Sequence, residues 1–218
     1  MTVKHQVTEE LLTAYAAGNL PEAFNLVVAT HVSLCTEARV RLEAMEAVGG
    51  ALLDDLDEMP MSHGSLEATL RLISDRPKEP IKAVPVQQEA SCKVLPKPLM
   101  EYVGGDISKV KWRPIGMGAK QAILKSSGDA DVRLLYIPAG SELPDHGHHG
   151  QELTLVLQGA FIDGDDRFAR GDLEVADEDL EHTPVADIGE DCICLAATNA
   201  PLKFKGIAPR LAQPFLRI

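Results

Sequence analysis

Four residues of this chain have the types and spacing to hold a metal ion: His146, His148, Glu152 and His182. The first three lie in Asp145-His146-Gly147-His148-His149-Gly150-Gln151-Glu152, directly before the apolar run Leu153–Leu157. Side chains of an extended strand alternate between its two faces. His146, His148 and Glu152 therefore share a face if Gly150 bends the strand without changing its register. Two imidazoles and a carboxylate converging there make most of the coordination sphere of a divalent transition metal. His182, in Leu180-Glu181-His182-Thr183-Pro184, is the candidate for a fourth ligand. A polar surface turn would also carry histidines, but the flanking glycines and the apolar run frame this cluster as a turn between strands. His149 has the opposite parity and should point away.

A second constellation lies near the start. His31 and Cys35 are spaced to share one face of a helix, and His5 could fold back toward them as a third ligand. A buried His and Cys on a helix are as readily core residues, so both readings stand at this level. Cys192 and Cys194 share a face of a predicted strand, where neighbours close a disulfide poorly and core packing is the expected role. Cys92 falls in linker-like sequence, and His63 precedes Gly64-Ser65 in a loop. No nucleophile elbow, phosphate loop or dinucleotide fingerprint is present.

The elements that must position these residues divide the chain. Thr8 can cap a first helix, with Glu9 and Glu10 suited to its N-terminal dipole and Gly18-Asn19 as its stop. Pro21 suits the first turn of a second helix. A third is expected from Thr36 to Gly49-Gly50, and a fourth, capped by Ser65, carries Leu66, Leu70, Leu72 and Ile73. Residues 76–97 interleave four prolines with four lysines and keep no apolar period, the composition of a linker. Beyond them come short β-rich runs over 110–112, 122–124, 132–137, 153–157, 161–162 and 192–195, punctuated as in a jelly roll. The fold class expected is α+β and multidomain: a four-helix unit over 1–85, a linker over 86–97, and a β barrel over 98–218.

The 218 residues carry a formal charge of −12. That balance disfavours direct nucleic-acid binding and attraction to anionic membranes. Residues 1–75 hold four Lys/Arg against twelve Asp/Glu, a net of −8, so most of the negative charge sits in the helical third. Four cysteines are too few for a disulfide scaffold. With neither a signal peptide nor an apolar run of membrane-spanning length, a cytoplasmic location is expected.

The pattern Gly140-x5-His146-x-His148-x3-Glu152-x6-Gly159 resembles the first conserved motif of the cupin superfamily at every position. The second motif is less regular: Gly171 is followed by Asp177-Glu178-Asp179, His182 falls on the metal-binding histidine, and Ala186 replaces the usual Asn. Over its whole length the chain resembles the ChrR-type zinc-dependent anti-sigma factors, whose helical domain carries an upstream His and then His-x3-Cys-x2-Cys. Leu11-Leu-Thr-Ala-Tyr-Ala-Ala-Gly18, Glu181-His-Thr-Pro-Val-Ala186 and Gln213-Pro-Phe-Leu-Arg-Ile218 carry that resemblance. It implies a non-enzymatic regulator with zinc in the cupin domain, on His146, His148, Glu152 and His182. It also implies a second zinc on His5, His31 and Cys35, weak or absent because Ala38 stands where the second motif cysteine belongs.

The function implied is an anti-sigma factor. Residues 1–85 would sequester a sigma factor of the extracytoplasmic-function type, and the cupin would release it in response to singlet oxygen. A metal-dependent cupin oxygenase or isomerase with a helical dimerisation arm is the alternative, since three His and one Glu with an open position suit such chemistry.

Overall fold

Thr8 begins the first helix through its hydroxyl, which accepts the Leu11 N–H (3.3 Å). That helix is α1 (Glu9–Ala16), followed by α2 (Glu22–Leu34), α3 (Thr36–Asp54), α4 (Ser65–Ser74) and α5 (Lys97–Val103). The computed structural model describes residues 3–76, 94–128, 130–206 and 213. Cys92 and most of the expected linker lie outside the described residues. From Val94 onward the chain is already packed, with Leu95 buried and Val94 O accepting from Arg170 (3.0 Å).

Three expected placements shift. α3 continues through Gly49-Gly50 to Asp54, because nothing at the pair adopts a left-handed turn and the helical ladder carries on. Cys35 lies between helices rather than on one with His31. Its backbone is extended (φ −110°, ψ 108°), and its sulfur accepts the Ala38 N–H (3.4 Å), so it caps α3. The run expected at 110–112 is irregular, and the first strand starts at Arg113.

The strands are β1 (Arg113–Gly116), β2 (Ala119–Leu124), β3 (Asp131–Ile137), β4 (His146–His148), β5 (Glu152–Gln158) and β6 (Ala160–Asp163). After them come β7 (Asp166–Ala169), β8 (Leu173–Ala176), β9 (Glu181–His182), β10 (Val185–Ala186), β11 (Cys192–Thr198) and β12 (Leu202–Phe204). A six-stranded sheet runs in the order β1-β2-β3-β11-β5-β8, and two three-stranded sheets run β10-β6-β7 and β12-β4-β9. Every pairing is antiparallel. This is the cupin architecture after a helical region.

Alternation along the large sheet assigns its two faces. Val132 and Leu134, Leu153, Leu155 and Leu157, and Ile193 and Leu195 join one core with Phe24, Val27 and Val28 of α2. Each fully buried leucine there contributes about 2 kcal/mol. The opposite face, with Ile137, Val156, Cys192 and Cys194, packs with Phe161 and Phe168 inside the barrel. Both cysteines are core residues, their sulfurs 3.5 Å apart.

α2 is buried nearly all round, as a helix held between other helices and a sheet must be. The helical residues thus share a core with the barrel. Polar contacts reinforce it at one corner: Leu173 N–H donates to His5 O (2.9 Å), and the Lys4 and His5 amides donate to Asp172 Oδ1 (2.6 and 3.0 Å). Gly171 sits there with φ +92°, and a Cβ on it would come within 2.9 Å of Val3 Cγ2. Only glycine fits both the conformation and the space.

Candidate metal centre

β4 and β9 pair so that His146 lies opposite His182, and His148 follows two residues along β4 on the same face. Antiparallel pairing therefore brings together three imidazoles that are far apart in sequence. His182 Nε2 lies 3.1 Å from His146 Nε2 and 3.2 Å from His148 Nε2, and all three residues are buried.

The outer nitrogens fix the tautomers. His146 Nδ1 donates to the Pro144 carbonyl (2.8 Å), and His182 Nδ1 donates to Asp163 Oδ2 (2.9 Å). Both Nε2 atoms then carry lone pairs, facing each other at 3.1 Å. Two lone pairs at that distance need a cation between them. Burial pushes the His146 and His148 pKa values below the ordinary range, which works against a proton in that place. The donor set fits a divalent metal on three imidazole nitrogens, within reach of one another as ligands to a single ion.

Glu152 lies beside the trio. Its Oε2 is 3.7 Å from His148 Nδ1, its Oε1 accepts from the Thr154 hydroxyl (3.0 Å), and it lines the same cavity as His146 and His182. His149 is exposed, as its parity requires.

Two acids join the site that the sequence does not single out. Asp163 orients His182, and Glu174 Oε1 lies 3.9 Å from the same Nδ1. Burial, and then the neighbouring Asp163 carboxylate, push Glu174 up to about 9, so it stays protonated and hydrogen-bonded to Asp163.

A model of the "ChrR Cupin-like domain" family matches residues 101–201. The anti-sigma-E factor ChrR of Cereibacter sphaeroides is 53% identical over 218 residues, covering 100% of both chains. The chain belongs to the ChrR family of anti-sigma factors. A solved structure of Rhodobacter sphaeroides SigE in complex with the anti-sigma ChrR matches with a TM-score of 0.78 and 51% identity. That match covers 90% of this chain and 99% of the other. An RmlC-like cupin from Ralstonia eutropha is 22% identical, with a TM-score of 0.42, over 47% of this chain and 71% of its own.

In this ChrR-family chain the helical histidines are engaged elsewhere. His31 donates from Nδ1 to Gly171 O (3.0 Å) and accepts the Val7 N–H at Nε2 (3.3 Å), so neither nitrogen is free for a metal. His5 turns toward the barrel, its ring 4.2 Å from Phe168 and its nitrogens 3.6 and 3.8 Å from carboxylate oxygens of Asp166 and Asp172. The Cys35 sulfur caps α3. His5, His31 and Cys35 are not brought into one coordination sphere, and these side chains do not fit a zinc ion as they stand. The first helix is tied to the third by polar contacts instead: Arg41 pairs with Glu9 (2.6 Å) and donates to Val7 O (3.0 Å), and Gln6 donates to Glu37 (2.8 Å).

Two predictions follow from this geometry. Replacing Asp163 with Ala frees the His182 ring, and the affinity of the site for a divalent ion should fall by about 10–100-fold. Competition with a chelator measures it; unchanged affinity would show that Asp163 does not orient the ligand. The second concerns acid. Burial lowers the His31 pKa from 6.5 to about 4. Below 6.5 the unfolded chain takes up a proton that the folded chain refuses, so stability is full above pH 6.5 and drains away toward about 4. Between pH 7 and 5 the loss from this residue is about 2 kcal/mol. Denaturant titrations of the parent and of His31→Gln should show a shallower pH dependence in the variant, and parallel curves would contradict the assignment.

Proposed function

We propose that this protein captures a sigma factor of the extracytoplasmic-function type through residues 1–85 and releases it when the cupin centre is damaged by singlet oxygen. The observation that carries the first half is the state of α4. None of its residues is buried, yet Leu66, Leu70 and Ile73, at one-face spacing, are 52–65% exposed. Val48 and Leu52, near the end of α3, form a second exposed row, and Leu56 just beyond the helix is exposed as well. Apolar rows of this extent on two neighbouring helical segments mark an interaction surface. The relative of known structure was solved with SigE, which supplies the kind of partner. Asp54, Asp55, Asp57, Glu58 and Glu67 flank the rows and complement the basic, DNA-reading surfaces that sigma factors carry.

Zinc is the metal we assign to the cupin histidines, from the family resemblance. When bound it would supply a fixed positive centre that orders three imidazoles and Glu152. Histidine is among the side chains most readily attacked by singlet oxygen, so the same residues that hold the ion are the ones that oxidation spends. Oxidation of the rings while the ion holds them together, rather than the mere absence of one ring, would reach the helices through β8. Glu174 on that strand contacts Asp163 and His182, and the adjoining Gly171, Asp172 and Leu173 hold His31, Lys4 and His5.

Co-expression with a sigma factor of this type tests the reading. A tagged chain should retain sigma through size exclusion as a stoichiometric complex. Elution of the two proteins apart, with the tagged chain well folded, would refute it.

A further inference from the structure

Arg133 is the one arginine of the large sheet that points into the barrel, and it is 5% exposed. Its hydrogen-bond partner is the neutral side chain of Gln121, whose Oε1 accepts from Nη1 (3.2 Å). Among the described residues no carboxylate lies within ion-pairing distance of it. Burial works against the charge, and Asp131 and Glu152 offset only part of that effect. A buried guanidinium without an anion is costly, and such groups persist where something else supplies the anion.

The surroundings say what could. Arg133 faces a cavity of about 360 Å³ within the barrel, which also reaches His146 and His182. Cross-strand register places Arg133 beside Ala196 and Ala196 beside Thr154, so a small residue keeps the space in front of the guanidinium open. Along β3 the same face continues with Leu135 and Ile137, and Phe161 closes that side, giving the cavity an apolar wall next to the guanidinium. Met117 and Glu142, both exposed, line the cavity as well and give it an outlet to the surface.

We infer that this cavity is a ligand site for a small monocarboxylate with an apolar body, its carboxylate on Arg133 and its tail against Leu135, Ile137 and Phe161. Volume, apolar walls and a small number of well-placed polar groups are the features of a small-molecule site. The planar guanidinium fork matches a carboxylate with two parallel hydrogen bonds. This site goes beyond sigma capture and can be tested on the full chain without any partner.

The probe is octanoate, compared with octan-1-ol, which has the same tail without the charge. Calorimetric titration of the full chain should show octanoate binding at least tenfold tighter than the alcohol. Arg133→Met should abolish that preference while its melting temperature without ligand is maintained or raised, since an uncompensated buried charge has been removed. Ala196→Leu keeps the guanidinium and fills the space before it, so it should lose octanoate as well; it also serves if Arg133→Met does not fold. Equal binding of acid and alcohol would overturn the proposal, as would no octanoate binding at millimolar concentration. Undiminished preference for octanoate in Arg133→Met would place the anion elsewhere, and would overturn it too.

Discussion

Replacing Leu66 and Leu70 together with aspartate is expected to abolish sigma capture and leave the protein folded. Both side chains are more than half exposed in the free chain, so the substitution removes no core contact and should move the melting temperature little. In the complex the same two positions would be buried against sigma. Two aspartates there must be desolvated with no partner, in addition to the apolar contact that is lost. A loss of about 4 kcal/mol or more is expected, on the order of a thousandfold in Kd. Surface plasmon resonance against immobilised sigma gives the number directly. A change of less than about threefold would remove α4 from the interface.

His148→Ala should separate the two halves of the protein. The remaining imidazoles cannot hold an ion as three do, and occupancy should fall from one per chain to near zero. Removing one of three ligand rings also leaves a void among buried side chains, so the barrel should melt at lower temperature even before metal is considered. Sigma capture should persist, because the exposed rows on α3 and α4 lie on elements that do not touch the centre. Metal analysis after dialysis measures the first effect and a pull-down the second. Unchanged stoichiometry would remove His148 from the ligand set.

Much of the centre was legible in sequence. The period-two spacing of His146 and His148 needs only a strand to put both on one face, and β4 supplies it. His182 could be reached only through its place in the second motif, because what joins it to His146 is the pairing of β4 with β9. Asp163 was hidden by its setting, since Asp163-Gly164-Asp165-Asp166 reads as a polar turn between hairpin strands. Glu174 sits between Leu173 and Val175, where alternation suggests a solvent-facing residue. The large sheet misleads in the same way. Leu153, Leu155 and Leu157 look like barrel interior but face α2, while Glu152 and Thr154 take the cavity side. A sheet buried on both faces does not reveal from alternation alone which face encloses the site.

The helical constellation shows the opposite limit. Spacing placed His31 and Cys35 together, but the break between α2 and α3 falls at Cys35 itself, and its sulfur caps the next helix. His5 is drawn to Asp172 and Phe168 by the barrel, whose position relative to the first residues no local pattern encodes. The shared core of α2 and the sheet is equally a tertiary fact. In sequence it appears only as a helix with too few polar residues to have a solvent face.

The central claim is that the cupin histidines control sigma held by the helices. The most direct test is an immobilised complex of the full chain with sigma, illuminated with a photosensitiser, with sigma in the eluate measured over time. The account predicts that sigma stays bound in the dark, elutes under illumination as histidines at 146, 148 and 182 gain oxygen by mass spectrometry, and is not released by light from the His148→Ala complex. Equal light-driven release from the parent and from His148→Ala would contradict it.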